Sequence, residues 1–548
     1  MKVPNSKVAS LLRQIAYQYK QSGDKWRAIA YGKASKTVRD LAYPLTDVDI
    51  SSLSGIGSSI KEKIEEILET GKSSLLEELQ KNGVPASLEE LEKLQGVGPK
   101  TAMRLWKEYG VKSLQDLEEN KALLKKEPEI AEALALYKRR RERIPVYLAD
   151  KALQEICAIL RSGGCKFVSQ AGSCRRKKFL VRDLDVVVAI SDSKKNKFMK
   201  YVRKNLKVVA GGESKLIFEY TVSGEPRNGD IVMVTPKEAG NAINYLTGSK
   251  QFNIAMRRLA LRKGFTVNER ETRSKYSGKR MPSATEEDLF DVLDIPFIPP
   301  ECRIDGTEVG KDLSDLITHG SVKGDLHIHT TYSDGLMSLK MLVRSAKEAG
   351  LKFVGVADHS YSLGVTGGMK AKDVPRIRDK VKSLQFPVYF GVEADVKVDG
   401  SLPYKKKLLS EFDYLILATH SSPDRNLESR LIRAIKKVAG DNRVILAHLT
   451  NRKSDREAAE ANWDNVFKIC RRYDVAIEIN AQPDRMDPPA DLIRRAKRFG
   501  LKFVINSDTH DTSINLYWGV IQARKGLLEN RDVINTSHKS FRKWLERR

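Results

Sequence analysis

The stretch GDLHIHTTYSDG, residues 324–335, sets His327 and His329 two apart in an apolar run, with Asp334 just beyond. In an extended strand, side chains at i and i+2 leave on the same face, so the two imidazoles converge on one point. Imidazoles and a carboxylate gathered there form the outline of a metal site. The pattern recurs downstream. Apolar runs beginning near Gly324, Lys352, Pro387, Tyr414, Arg443, Val475 and Lys502 end in LHIHT, VADHS, GVEAD, LATHSS, LAHLT, EINA and NSDTH. Six of the eight histidines, His327, His329, His359, His420, His448 and His510, fall at those ends, together with Asp334, Glu393 and Asp508. One histidine on an apolar strand is most simply a hydrogen-bonded core residue. Six at corresponding ends are not, because each polar group buried unpaired costs roughly 2–7 kcal/mol. These ligands suffice for two to three Zn²⁺, Mn²⁺ or Fe²⁺ ions, and clustered divalent ions activate water and clamp phosphate oxygens. The chemistry implied is phosphoester hydrolysis. His319 and His538 lie outside the runs and read as surface residues.

A second group of acids sits in AGSCRRKKFLVRDLDVVV, residues 171–188. Asp183 and Asp185 alternate on an expected strand and so share a face, and NGDIVMV supplies Asp230 at the start of a later one. The apolar VVV argues for a covered strand over a surface hairpin, and carboxylates on a covered face repel unless a cation lies between them. Three aspartates holding two Mg²⁺ or Mn²⁺ ions suit phosphoryl transfer.

The elements that must position these groups are legible in outline. A chain of 548 residues exceeds one core and suggests about three or four units. The first 145 residues show helical spacing and carry L-x-G-[IV]-G twice, in LSGIGSSIKEKI and LQGVGPKTAMRL. Gly55 and Gly57, then Gly96 and Gly98, make tight turns that expose backbone N–H groups at a helix start, where a phosphate is held without sequence being read. Residues 146–235 read as a sheet, 236–295 mix helices with short strands, and the proline-rich IPFIPPECRIDG reads as a separating linker. The runs beyond it recur about every 30 residues with helical patterns between them, which makes a parallel barrel the expected outcome, with its site at the strand C-termini.

The balance of 97 Lys plus Arg against 71 Asp plus Glu, a net +26, favours a polyanionic partner, nucleic acid first. The five cysteines form no CxxC pair and read as reduced thiols. No run is long enough to span a membrane and no apolar signal segment opens the chain, so a cytoplasmic protein is expected.

The segment from Gly324 to His510 resembles the polymerase-and-histidinol-phosphatase (PHP) domain, a metal-dependent phosphoesterase with a distorted seven-stranded barrel, and all nine of that family's ligand positions appear filled. AHLTNR departs from it in lacking the usual proline after the histidine. Gly172-Ser173, Arg175-Arg176, the three aspartates, YLTGSKQFNIAMRR, RIP at 143–145 and the paired glycine turns resemble a family X DNA polymerase. Family X cores followed by this phosphoesterase domain form a known bacterial and archaeal type. That resemblance implies a multidomain α/β chain: helical DNA-binding domains with helix-hairpin-helix elements over 1–80 and 81–145, a mixed-sheet nucleotidyltransferase palm over 146–235, a thumb over 236–295, a linker over 296–320 and the barrel over 321–548. It further implies that Asp183 and Asp185 bridge both palm metals and that Asp230 activates the primer 3′-hydroxyl. Arg143, Gly172, Ser173 and Arg176 would hold the triphosphate; Tyr245, Gly248 and Asn253 would line the nucleotide's sugar and base; Arg257 would lie against the template. Lys63 aligns with the family's Schiff-base lysine, but Ser59 replaces its helper, so a phosphate contact is the better reading than lyase chemistry.

Arg182 and Lys177 stand where the family has glycines, and Leu246 replaces an aromatic residue near the sugar. A cation beside the metal aspartates implies a slow, manganese-favouring polymerase. The leading expectation is a monomeric repair polymerase that fills gapped or nicked double-stranded DNA from deoxynucleoside triphosphates, while its barrel trims 3′-ends as an exonuclease and cuts at abasic sites. The alternatives are a barrel phosphoesterase with a degenerate polymerase core as DNA clamp, and a non-catalytic scaffold.

Overall fold

The computed structural model describes residues 3–546 except 23, 42–43, 54, 82–84, 86–87, 93, 95–96, 142, 166, 362–365 and 421–425. Helices Asn5–Gln21, Lys25–Asp40 and Ser58–Thr70 enclose an apolar cluster that includes Val8, Leu12, Val38, Ile64 and Ile67. A separate cluster around Leu91, Val97, Leu105 and Leu117 is built from helices Pro99–Tyr109, Leu114–Glu119 and Pro128–Arg141. Helices Ser58–Thr70 and Pro99–Tyr109 each end on a left-handed glycine, Gly71 and Gly110, the conformation that closes a helix at least steric cost.

Sixteen strands follow among the described residues. In the palm they are β1 (Ile144–Pro145), β2 (Phe167–Gln170), β3 (Leu180–Val181), β4 (Val186–Ala189), β5 (Lys207–Gly211), β6 (Lys215–Val222) and β7 (Glu225–Val234). The main sheet runs β2-β4-β7-β6-β5, with β4 and β7 parallel and the other pairs antiparallel. Helix Val146–Ser162 buries Leu153, Ile156 and Leu160 against it. The thumb comprises helices Ala239–Thr247, Lys250–Arg262 and Glu286–Val292 with the hairpin β8 (Phe265–Val267) and β9 (Thr272–Ser274).

The stretch 295–306, expected to be a separating linker, is packed. Ile298 and Cys302 join the thumb's apolar cluster. Arg303, fully buried, lies against the rings of Phe252, Phe290 and Phe297 and pairs with Glu286 at 2.5 Å. The prolines end helices here as anticipated, but the aromatic thumb supplies a surface that the segment covers.

The barrel strands are β10 (Gly324–Ile328), β11 (Phe353–Val356), β12 (Val388–Asp395), β13 (Tyr414–Ala418), β14 (Val444–Leu446), β15 (Ala476–Asn480) and β16 (Phe503–Asn506). All neighbours are parallel and in chain order. The seam between β10 and β16 is stitched by one bridge, Ile328 to Thr509, and by the Leu326 N–H donating to Asn506 Oδ1 at 2.9 Å, so the barrel is nearly closed. Helix His538–Glu546 plugs its N-terminal end, inserting Phe541 and Trp544 beside Phe353 and Tyr414. The barrel docks on the palm, where Met486, Trp518 and Ile521 join the palm's own apolar cluster. No helix of the described residues is long and apolar enough to cross a membrane.

Candidate active sites

The C-terminal ends of the barrel strands bring their histidines and acids to one point. Glu393 lies at the centre: Oε2 is 3.6 Å from Nε2 of both His327 and His329 and 2.7 Å from His359 Nδ1. Its Oε1 is 3.2 Å from His420 Nε2 and 2.8 Å from His448 Nε2. Asp508 Oδ1 is 3.5 Å from His327 Nε2 and 3.3 Å from His329 Nε2. Asp334 closes the outer side, 3.6 Å from His359 Nε2 and 3.5 Å from His510 Nε2. Three overlapping groups have ligand atoms within 4.8 Å of one another: His329, Asp334, His359 and His510; His327, His329 and Glu393; His359, Glu393 and His420.

The residues fit metal ions. His327 Nε2 and both ring nitrogens of His329 are buried without a hydrogen-bond partner, an arrangement that hydrogen bonding alone leaves unsatisfied. His448 and Asp508 hold left-handed backbone, φ +29 and +50, strain of the kind tolerated where a side chain must point at a site. Burial pushes Glu393 up, but the imidazoles of His420, His327 and His359 outweigh it and hold its carboxyl well below the carboxylate range. Burial lowers His420, yet Glu393 and Asp395 raise it to about 10. Glu393 thus demands a cation, which the imidazoles supply as protons or bound divalent ions supply directly.

A supporting layer escaped sequence reasoning. Glu478, fully buried on β15, takes His327 Nδ1 at 2.6 Å and accepts the His448 N–H at 2.9 Å. Asn480 donates to Asp508 Oδ2 at 2.9 Å, and Asp395 accepts from the His420 N–H at 3.1 Å. Asp358 accepts from Thr330 N, Thr330 Oγ1 and Ser333 Oγ, each at 2.7 Å, and so ties down the turn that carries Asp334. Such partners fix ring orientation and tautomer.

In the palm, Asp183 and Asp185 do not lie on a strand. They occupy the extended segment between β3 and β4. This segment is pinned on two sides, by Leu184 N to Asn228 O at 3.1 Å and by Ala171 N to Asp185 O at 2.8 Å, so it forms no continuous ladder. Leu184 is buried between the two acids, which keeps the alternation. Asp230 stands mid-strand in β7 rather than at its start, opposite Ile217, because β6 already pairs with β7 from Glu225 onward. The three acids meet: burial, then Asp183 and Asp230, push Asp185 up to about 7 against the pull of Lys215 and Arg176. Lys215 touches the trio, its Nζ lying 2.6 Å from Asp230 Oδ2. Arg182, the expected intruder, is exposed, and its charge bears on Lys178 beside Arg143 and Arg176.

Helix Gly172–Arg175 approaches Asp185 so closely that a Cβ on Gly172, at φ +60, would meet Oδ2 at 2.2 Å. Ser173 and Arg176 lie on this turn, and Arg176 Nη1 donates to the Thr247 carbonyl beside Gly248. Asn253 Nδ2 donates to Tyr245 O at 2.8 Å. Tyr245 and Leu246 line a cleft of about 460 Å³ together with Lys215 and Arg270. Arg143 is exposed, and Arg257 lies on helix Lys250–Arg262. Lys177, where a glycine was anticipated, does take a left-handed φ of +51, and its ammonium is paired with Asp150 instead of obstructing the site.

At the N-terminus, Gly55 has φ +83, and Gly57 and Gly98 cap the helices that follow with open space at their Cβ positions. Helix N-termini of this kind are where a phosphate is held. Gly96 lies outside the described residues. Lys63 is paired with Glu66 at 3.5 Å.

The sequence matches the helix-hairpin-helix domain over residues 3–73, a helix-hairpin-helix motif over 81–104, the DNA polymerase beta thumb over 242–304 and the PHP domain over 325–482. The last match stops short of Asp508 and His510, which the fold nonetheless brings to the same cluster. The chain is 33% identical over 560 residues to the DNA polymerase/3'-5' exonuclease PolX of Bacillus subtilis, covering 96% of each. DNA polymerase lambda of Rattus norvegicus is 28% identical over 327 residues, 55% of this chain and 56% of that protein. The lambda polymerase of Arabidopsis thaliana is 26% identical over 335 residues, 55% and 62% respectively.

Proposed function

The chain belongs to the bacterial PolX family of DNA polymerase/3'-5' exonucleases, and from that premise we propose that it repairs DNA by trimming a damaged 3′-end in the barrel and filling the short gap in the palm. Asp183, Asp185 and Asp230 would hold two Mg²⁺ or Mn²⁺ ions. Arg143, Ser173 and Arg176 would bind the triphosphate, with Gly172 letting the phosphate turn approach Asp185. Tyr245, Gly248 and Asn253 would orient the sugar and base, and Arg257 the template. Asp230 would place the primer 3′-hydroxyl in line with the bound nucleotide. In the barrel, His327, His329, Asp334, His359, Glu393, His420, His448, Asp508 and His510 would hold two to three Zn²⁺, Mn²⁺ or Fe²⁺ ions. When bound, the ions of both centres supply Lewis acidity and neutralise charge on phosphate oxygens.

The substrates would be gapped or nicked double-stranded DNA, gripped through backbone phosphates by the glycine turns at Gly55, Gly57, Gly96 and Gly98, and deoxynucleoside triphosphates. Lys63 would contact a DNA phosphate. Cutting at abasic sites is a further activity of the barrel in this account, and the protein would work as a cytoplasmic monomer. Its working units would be two helical DNA-gripping domains over 1–80 and 81–145, the palm over 146–235, the thumb over 236–295 and the barrel over 321–548.

The observation that carries this reading is the presence in one chain of two separate centres with the ligand chemistry of phosphoryl transfer and of phosphoester hydrolysis. The test is a 5′-labelled primer in a one-nucleotide gap with a downstream 5′-phosphate, incubated with deoxynucleotides and either Mg²⁺ or Mn²⁺. A primer longer by one supports the proposal. Shorter products alone reduce the palm to a DNA clamp, and an unchanged primer overturns both activities.

A further inference from the structure

The palm's phosphate turn leaves helix Gly172–Arg175 through Arg176, Lys177, Lys178 and Phe179, and at this exit the barrel takes hold of it. Lys525, at the end of helix Tyr517–Lys525, is buried and donates from Nζ to the Lys177 carbonyl at 3.0 Å, the one side-chain hydrogen bond it makes among the described residues. Two residues on, the Arg452 guanidinium lies 4.1 Å over the ring of Phe179. Arg452 is itself fixed by donating to the Arg485 carbonyl at 3.1 Å. Lys177 is held from the opposite side by the ion pair with Asp150 on the palm helix. Its left-handed backbone, φ +51, is a conformation that a non-glycine residue keeps only when its surroundings over-determine it. Asp150 on one side and Lys525 on the other provide that constraint.

Burying an ammonium against a single carbonyl is costly. Burial pushes Lys525 down to about 7, and Arg452, Arg176 and Lys178 add to the effect. Nothing in the barrel's metal cluster uses this residue. Its contact instead falls one residue beyond Arg176.

Resting on the reading of Arg176 as a triphosphate ligand, we propose that Lys525 is a positioning residue for nucleotide binding: the barrel holds the Lys177 carbonyl, fixes the exit of the phosphate turn, and so aims Arg176. The phosphoesterase domain then serves the polymerase as a brace, independently of its own chemistry.

The test is Lys525→Met in the full chain, which keeps most of the side-chain length and removes the Nζ donor to the Lys177 carbonyl. Single-nucleotide gap filling and 3′-end hydrolysis are measured on the same preparation. The dNTP KM should rise about five- to tenfold with kcat changed less than twofold and hydrolysis unchanged. Asp150→Asn, which loosens Lys177 from the palm side, should raise the same KM. The double variant should fall short of the product of the two effects, because both act through one residue. A wild-type KM in the variants, a fall in kcat at unchanged KM, or multiplicative effects overturn the inference. Should Lys525→Met lose both activities together, Asp150→Asn alone decides: a raised KM with hydrolysis intact supports the brace, and a wild-type KM overturns it. If the wild-type protein incorporates no nucleotide, the reading of the palm fails first and the inference falls with it.

Discussion

Gly172→Ala separates the two centres by a single methyl group. Gly172 holds φ +60, where an L-residue costs about 1–2 kcal/mol of backbone strain. The added Cβ would sit 2.2 Å from Asp185 Oδ2 and 3.2 Å from the carboxyl carbon. An ordinary contact of about 3.5 Å requires either the carboxylate or the phosphate turn to retreat by a little over ~1 Å. Misplacement on that scale at a reacting centre costs about 100-fold in rate, equivalent to ~2.7 kcal/mol. The polymerase kcat should therefore fall about 100-fold on the gapped primer. Hydrolysis of a 3′-end should stay within about twofold, because the barrel ligands belong to other elements. Both activities are read from one gel, with and without deoxynucleotides. A Gly172→Ala protein that fills the gap at more than about a third of the wild-type rate would refute the reasoning, since Asp185 would then be indifferent to its position.

Asp183→Ala with Asp185→Ala should abolish synthesis and spare hydrolysis, while His327→Ala with His329→Ala should do the reverse; loss of both activities from either pair would show that the centres are not independent. Glu478→Gln keeps the volume but weakens the partner of His327 Nδ1, so barrel metal affinity measured against a competing chelator should drop about 10- to 100-fold. An unchanged titration would mean that Glu478 is structural only. Lys215→Ala removes the cation on Asp230 and should lower, several-fold, the Mg²⁺ concentration that gives half-maximal synthesis; a raised requirement would contradict the role of Lys215 as competitor. Lys525 has its folded pKa depressed to about 7 from 10.5, so the unfolded chain binds the extra proton between those values. Stability should therefore rise with pH from about 7 upward relative to Lys525→Met, and a difference in melting temperature that is flat from pH 7 to 9 would count against a depressed pKa at Lys525.

Much of the barrel was legible because its information is local. Each strand begins within a residue of its apolar run, and the ligands stand at the ends that a parallel barrel turns towards its site. What periodicity could not supply is pairing between distant segments. Glu478 appears in EINA exactly as a ligand would, and only its contact with His327 marks it as a support. The EPRNGD segment carries proline, asparagine and glycine, which read as a turn, yet β6 pairs along all of it and places Asp230 mid-strand. Lys215 reaches Asp230 from the neighbouring strand β6, a contact with no trace in spacing. Lys177 looked like a blemish in a glycine position because its partners, Asp150 and Lys525, lie far away in the chain. The 295–306 stretch misled for the same reason: its prolines are local, whereas the aromatic surface it covers is not.

The apolar cluster of the palm is not assembled from the palm alone, since Met486, Trp518 and Ile521 belong to it. During synthesis the palm strands emerge well before these three residues, and at usual ribosomal speeds the interval to Ile521 is roughly 15 to 60 seconds. Over that interval the sheet presents an unfinished apolar face to the cell. The barrel is under the same constraint, because β10 must wait for β16 to form its seam. Truncation near the C-terminus, or stalling before Ile521, would therefore leave two incomplete domains rather than one.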